Sequence, residues 1–389
     1  MKLTVSAIRI LVGVLFILSG LVKANDPLGL AYKMQEFFEV WNAGLAASSF
    51  FAANVLISFF HFLHDGALAL SIIMITLEIV AGVALLVGWQ KRAVLWLLLL
   101  LIVFFTFLTG YAWASGKFKN CGCFGDCLPI TPLTSFIKDV VLLLAILVLF
   151  FNQKYIQPLA TKSIRSVVMA TALIGTLLFQ WYVLAYNPVV DCLPFKQGAS
   201  ITEGMKIPAN AVADSFAIRF VYKKEGKEYE FSPESLPADL DSYEYVNRTD
   251  KLIRKGNAEP PIKGFALSGV TNVDSTGIVL EQPLAVLFFI NAQQGISQKD
   301  QETFRDVYTQ ASANNIPVHL VTNGLEETTA TLPPASFPKA SFFKIDYTTF
   351  KTAARTNPSI YLLRKGTVVN KWSGLQADRA IKEITTLKP

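Results

Sequence analysis

At 389 residues, with 52% hydrophobic and only 16% charged residues and a mean hydropathy of +0.42, the chain is too apolar for a wholly soluble protein. The formal net charge of +6 is of the size that the basic flanks of membrane spans supply. No basic face interleaved with aromatics is present, so a nucleic acid is excluded as partner and the lipid bilayer takes its place.

The apolar excess ends near Tyr186, and from Asn187 onward the composition is that of an ordinary soluble domain. A span needs about 20 residues to cross roughly 30 Å of hydrocarbon. Runs of that kind occur at Thr4–Val22, Ala67–Gly88, Ala93–Ala114, Phe136–Phe151 and Ser166–Tyr186, which predicts five transmembrane helices. The first run lacks a small-residue cleavage site and continues into polar Lys23–Pro27, so it is read as a retained helix rather than a signal peptide. Between Tyr32 and Leu63 the chain is aromatic but interrupted by Asn42 and Asn54, which predicts helices lying at the interface.

Lys91 and Arg92 crowd one turn and Lys154, Lys162 and Arg165 another. Both turns are therefore expected in the cytoplasm, with the N-terminus inside and the chain beyond Asn187 outside the membrane. Arg9 and Glu78 fall inside predicted spans, where an ionisable group is costly, so both are expected to face the bundle interior and to pair there. The pair either fixes helix packing or marks a proton site or the seat of a quinone head group.

All four cysteines fall on the predicted outer side. Cys121, Cys123 and Cys127 occupy a glycine-containing turn between the third and fourth spans, and Cys192 follows the fifth. An oxidising compartment permits disulfides, and four cysteines allow three full pairings. A bridge across Cys121-Gly-Cys123 closes a very small ring and suits exchange better than bracing, with Cys127 and Cys192 left to resolve or relay the bond. The alternatives are two inert structural bridges, or a metal site, which the short spacing does not fit; no metal is expected.

Past the linker, Phe216–Phe231 alternates around Lys224-Glu-Gly-Lys and reads as a β-hairpin, while Tyr243–Gly277 reads as a second, entry hairpin. Next come a strand (Leu284–Ile290), a helix (Gln298–Asn314), a strand (Pro317–Thr322), a helix (Tyr347–Arg355), a strand pair (Ile360–Arg364 and Thr367–Trp372) and a last helix (Ala377–Thr386). That order resembles the thioredoxin-like α/β fold. The resemblance puts Asn357 and Pro358 where such folds carry a cis-proline beside a peptide-binding groove, and an extended partner is expected to add there as a strand. The position after the first strand reads Asn291-Ala-Gln-Gln-Gly, without a cysteine, so this domain lacks the thiolate that dithiol exchange needs.

In the first half, Arg9, Gly13, Phe16, Ser19-Gly20 and Lys23, then Glu78-Ile-Val-Ala-Gly82, then Cys121-Gly-Cys-Phe-Gly followed by Lys138-Asp139, resemble the DoxX/MauE redox-associated membrane proteins. The resemblance covers roughly residues 1–155 and implies a four-helix bundle with a role in thiol- or quinone-linked redox at the outer face of a bacterial inner membrane. A fifth span and a thioredoxin-like extension resemble members of the group found in Bacteroidetes. The expected organisation is a DoxX/MauE-like bundle (1–155), a fifth transmembrane helix (156–190), a linker and hairpin region (191–275) and a cysteine-free thioredoxin-like domain in the periplasm (276–389). The expected function is thiol–disulfide exchange with a periplasmic thiol protein or another membrane protein. The rival expectation is a non-catalytic scaffold or assembly factor with structural disulfides.

Overall fold

The computed structural model of the chain describes residues 1–118, 125–127, 130–213, 215–254, 256 and 258–387. Helices α1 (Lys2–Ala24), α2 (Pro27–Ala46), α3 (Ala53–Asp65), α4 (Ala67–Val87), α5 (Lys91–Ser115), α6 (Pro132–Phe151) and α7 (Lys162–Tyr186) form the first half. Among the described residues, α1, α4, α5, α6 and α7 are the five long and apolar enough to span a membrane, at the places that hydropathy predicts. The chain is thus a multi-pass membrane protein. The 13-residue α3 is too short to cross, and none of its residues is buried. Its exposed Val55, Phe59 and Phe62 suit the interfacial position expected of it. Asp26 caps α2 by accepting the Gly29 N–H at 3.0 Å, and Pro27 occupies the first turn, where its missing N–H costs nothing.

Small residues decide how α1 meets α4. A Cβ on Gly82 would stand 2.9 Å from the Gly13 carbonyl oxygen, and one on Gly20 would collide with Ile79. This close seam also fixes register: Gly13 lies against Gly82 and Leu86, and Gly20 against Ile79. Arg9 consequently faces the end of α4, whereas Lys23 faces the turn of Glu78. Gly88 ends α4 in the left-handed conformation at φ +70°, where an added Cβ would meet the Gln157 carbonyl oxygen at 2.9 Å.

The second half holds a short helix α8 (Ile201–Gly204) and a three-stranded antiparallel sheet of β1 (Ser215–Lys224), β2 (Lys227–Phe231) and β3 (Glu244–Arg254) in the order β2-β1-β3. The hairpin turns at Glu225–Gly226, both at positive φ, as its sequence predicts. The hairpin expected within Tyr243–Gly277 is confined to residues 267–275, where Ser268 bridges Asp274 and the Gly269 N–H donates to the Val273 carbonyl. Residues 244–254 pair with β1 as a third strand. Beyond lie α9 (Thr276–Leu280), β4 (Ala285–Ile290), α10 (Gln298–Ala313), β5 (Val318–Thr322), α11 (Leu325–Thr331), β6 (Ala340–Lys344), α12 (Tyr347–Ala353), β7 (Ser359–Arg364), β8 (Thr367–Ser373) and α13 (Ala377–Thr386).

The five strands β4–β8 make one mixed sheet in the order β6-β5-β4-β7-β8, with β4, β5 and β6 parallel and β7 and β8 antiparallel to their neighbours. Every residue of β4 is buried, which explains a continuous apolar run without alternation. Val286, Phe288 and Ile290 pack under α10 and α13, whereas Leu287 and Phe289 face Phe265, Phe350 and Tyr361 on the opposite side.

His319 lies inside this sheet at 4% exposure, with Nε2 2.8 Å from Gln282 Oε1. Burial lowers its pKa from 6.5 to about 4, so the fold holds it neutral. Between those values the unfolded chain takes up a proton that the folded domain refuses. Its contribution is therefore complete above pH 6.5 and is lost as pH falls through 4, a drop of roughly 3 kcal/mol at about 1.36 kcal/mol per pKa unit. Pulse proteolysis of the full chain in a denaturant series is expected to show this loss between pH 7 and 4, and His319→Gln is expected to flatten it; equal slopes in both proteins would refute the assignment.

Candidate functional site

Cys127 and Cys192 are joined in a disulfide where the loop before α6 meets the exit of α7. Cys121 and Cys123, the pair expected to exchange, lie outside the described residues. The bond is packed among Val22, Asn25, Asp26, Gly125, Pro188, Val190 and Leu193, with about 10 Å³ left open beside it. Asn25, the residue that closes α1, grips the segment carrying Cys192. Its Nδ2 donates to the Val190 carbonyl at 2.7 Å, and its Oδ1 accepts the Val190 N–H at 3.0 Å.

The next residue, Asp26, reaches the other way. Its carboxylate receives Arg355 Nε at 3.0 and 2.9 Å, with the two side chains 16% and 6% exposed. Tyr32 lies beneath the Arg355 guanidinium, 5.4 Å from ring centre to Cζ, and burial pushes its hydroxyl up to about 12, partly offset by that cation. Asn187 Oδ1 accepts from the Thr356 hydroxyl at 3.3 Å, and Lys371 pairs with Asp191. Burial lowers the pKa of Lys371, and Asp191 opposes the shift. The C-terminal domain is thereby seated on the cysteine end of the bundle through polar contacts made by residues far apart in sequence.

Asn357 and Pro358, the expected groove residues, are joined by a cis peptide bond and look onto the bundle. A cleft of about 260 Å³ there is lined by Pro358, Asn357, Thr356, Lys299 and Leu375 on one side and by Leu184 and Ala185 of α7 on the other. The outer edge of β8 is paired with residues 198–201, and that of β6 meets Ser268 at Lys344. Where a thiol would stand after β4, neutral amides are wired together: Asn357 Oδ1 accepts the Asn291 N–H, and Asn323 Nδ2 donates to Asn291 Oδ1, both at 2.9 Å.

The bundle interior differs from expectation in its pairing. Arg9 and Glu78 do not meet. Arg9 donates to the carbonyls of Leu85 (2.8 Å), Leu86 (2.7 Å) and Gln157 (2.8 Å), because it reaches the end of α4 where carbonyls lack helical partners. Glu78 pairs instead with Lys23, whose Nζ donates to both carboxylate oxygens at 2.9 and 2.7 Å with the two side chains 4% and 3% exposed. The same ammonium lies 4.2 Å from the centre of the Phe105 ring.

A second charged group faces the same space. Asp139 accepts from the Thr109 hydroxyl at 3.0 Å and lies 2.7 Å from Lys138 Nζ, close enough to attract but outside hydrogen-bond geometry on that oxygen. Lys23, Glu78, Lys138 and Asp139 enclose a cavity of about 20 Å³ with Ser19, Phe16 and Phe105. That holds about one water molecule, whereas a benzene-sized ring needs a cavity of about 150 Å³. A quinone ring does not fit this polar interior.

Sequence reading missed Lys23 and Asp139 as interior charges. The signal was present in the small residues of α1 and α4, since Arg9 and Lys23 stand about 21 Å apart at 1.5 Å per residue and only one of them can reach Glu78. Grouped histidines, cysteines and carboxylates able to hold a metal are absent among the described residues.

With this geometry in hand, comparison adds the following. Residues 1–152 match the family model of methylamine utilisation protein MauE, and residues 216–255 match a domain of unknown function (DUF8463). Protein TlpB of Flavobacterium psychrophilum is 27% identical over 152 residues, which are 37% of this chain and 35% of that protein. The match thus spans about a third of the curated relative's length.

Proposed function

We propose, taking the MauE-type character of residues 1–152 as premise, that the chain is a thiol–disulfide redox protein of a bacterial inner membrane. The observation that carries this reading is the Cys127–Cys192 bond, which joins the cysteine-bearing loop to the exit of the last span at the seat of the C-terminal domain. With those two joined, Cys121 and Cys123 are the remaining cysteines of the four and form the exchanging pair; Cys127 and Cys192 relay. An incoming dithiol of a periplasmic protein supplies the electrons. Its thiolate attacks one sulfur of a disulfide, the bond breaks with its electron pair on the second sulfur, and a second attack releases the partner oxidised and the chain as a dithiol. Each exchange balances without a bound cofactor.

Orientation follows from the two ends of the bundle. Lys91 and Arg165 bind carbonyls of the Ile156 and Gly88 turns, at the end opposite the disulfide, so the basic end is assigned to the cytoplasm and the cysteine end to the periplasm. The strand order of the C-terminal sheet and the cis bond before β7 support a thioredoxin-like reading. In that reading the cysteine-free domain positions a partner, and residues 195–201 and 262–267 belong to its core rather than to a linker.

The close packing around Cys127–Cys192 favours a second reading, an inert scaffold. Mass spectrometry of alkylated full-length protein across a glutathione series separates them. Opening of at least one bond within the glutathione range is expected; resistance of every bond until strongly reducing conditions would overturn the redox role.

A further inference from the structure

We infer that Asn25 is a positioning residue for the Cys127–Cys192 couple: its side-chain amide holds Cys192 at bonding distance from Cys127 even when the two are thiols. The inference rests on the proposed redox role of that bond and names what sets its poise. Asn25 closes α1 in helical conformation, its backbone N–H bonded to Leu21, so its side chain is delivered from a rigid element. It is 7% exposed and pairs with Val190 through both halves of its amide, as a neighbouring strand would. Val190 precedes Cys192 by two residues, and Asp191 between them is held in turn by Lys371 and by the Leu193 N–H at 3.1 Å. On the other side, Gly125 at φ +56° turns the loop past Val22 of α1 toward Cys127. Both cysteines are thus referred to the last turn of one helix.

The consequence is thermodynamic. Oxidation transfers two electrons to a disulfide reagent and joins two sulfurs, and it is favoured in proportion to how often the reduced chain already brings them together. A clamp that acts on the reduced state therefore deepens the disulfide. Removing it frees residues 188–192 in the dithiol, while the bond itself still restrains them in the disulfide, so the equilibrium moves toward thiols.

The test titrates full-length protein in detergent against oxidised and reduced dithiothreitol, reading the Cys127–Cys192 couple by differential alkylation. Asn25→Ala is expected to shift the equilibrium about tenfold toward the thiols, the weight of one to two net hydrogen bonds and equivalent to about 30 mV. Agreement with wild type within twofold would overturn the inference, since a residue that merely stabilises both states leaves the ratio unchanged. Should the variant fail to fold, hydrogen exchange on wild type decides. The Val190 amide is expected to stay protected after reduction, and loss of its protection on reduction would show that the disulfide, not Asn25, does the holding. Should every wild-type bond resist glutathione while Cys127–Cys192 opens to dithiothreitol, the proposed redox role would sink while the Asn25 comparison stayed readable.

Discussion

Replacing Lys23 with methionine is expected to destabilise the bundle by about 3–5 kcal/mol, because it leaves the Glu78 carboxylate inside the helices without its partner. The ammonium donates to both oxygens of that carboxylate, and the cavity beside the pair measures about 20 Å³. Glu78→Leu is expected to cost a similar amount by stranding Lys23 against the Phe105 ring. The double variant should recover most of the loss, since a buried ion pair replaced by apolar side chains of like volume is often neutral or better. Thermal retention of monodisperse protein in detergent measures all three. Additive losses in the double variant would show that the two side chains do not act as a pair.

Asp26→Ala is expected to release the C-terminal domain from the bundle. The substitution removes the cap of α2, worth about 1 kcal/mol, and takes the Asp26 carboxylate from the 6%-exposed Arg355 guanidinium, which keeps its bond to the Lys351 carbonyl. Hydrogen exchange at Thr356–Ser359, which lie at the seat, should rise toward that of an undocked surface, while the sheet strands β4 and β5 stay protected. Exchanging the charges in Asp26→Arg with Arg355→Asp should restore part of the protection. Unchanged exchange at Thr356–Ser359 in Asp26→Ala would mean that the domain is held elsewhere.

Local pattern made the spans legible: long apolar runs with basic turns predict α1, α4, α5, α6 and α7 to within four residues at either end. The periodicity of residues 284–386 likewise anticipates β4, α10, β5, β7, β8 and α13. The edge strand β6 escaped, because Ala340–Lys344 is five residues long, follows a proline-rich turn and has no alternation to mark it. Residues 244–254 read as part of a later hairpin rather than as the partner of β1, since a strand-forming stretch does not name its neighbour. Within the candidate site, cysteine spacing favours Cys121–Cys123 and leaves Cys127 with Cys192 as one of three possible pairings, because their meeting depends on where a helix exit lies. Asp26 with Arg355 and Asn25 with Val190 are separated by 329 and 165 residues, and only packing brings such pairs together.

The 65-residue separation between Cys127 and Cys192 encloses α6 and α7 in one covalent macrocycle. In water, a ring of that size would stabilise a fold by about 4 kcal/mol through chain entropy alone. Here most of the ring is two preformed rods, which lipid keeps helical even when they part, so far fewer free torsions are removed and the entropic share shrinks. What the ring chiefly restricts is rotation and splaying of the last two spans at their disulfide-bearing ends, turning the C-terminal domain's single tether into a two-point mount.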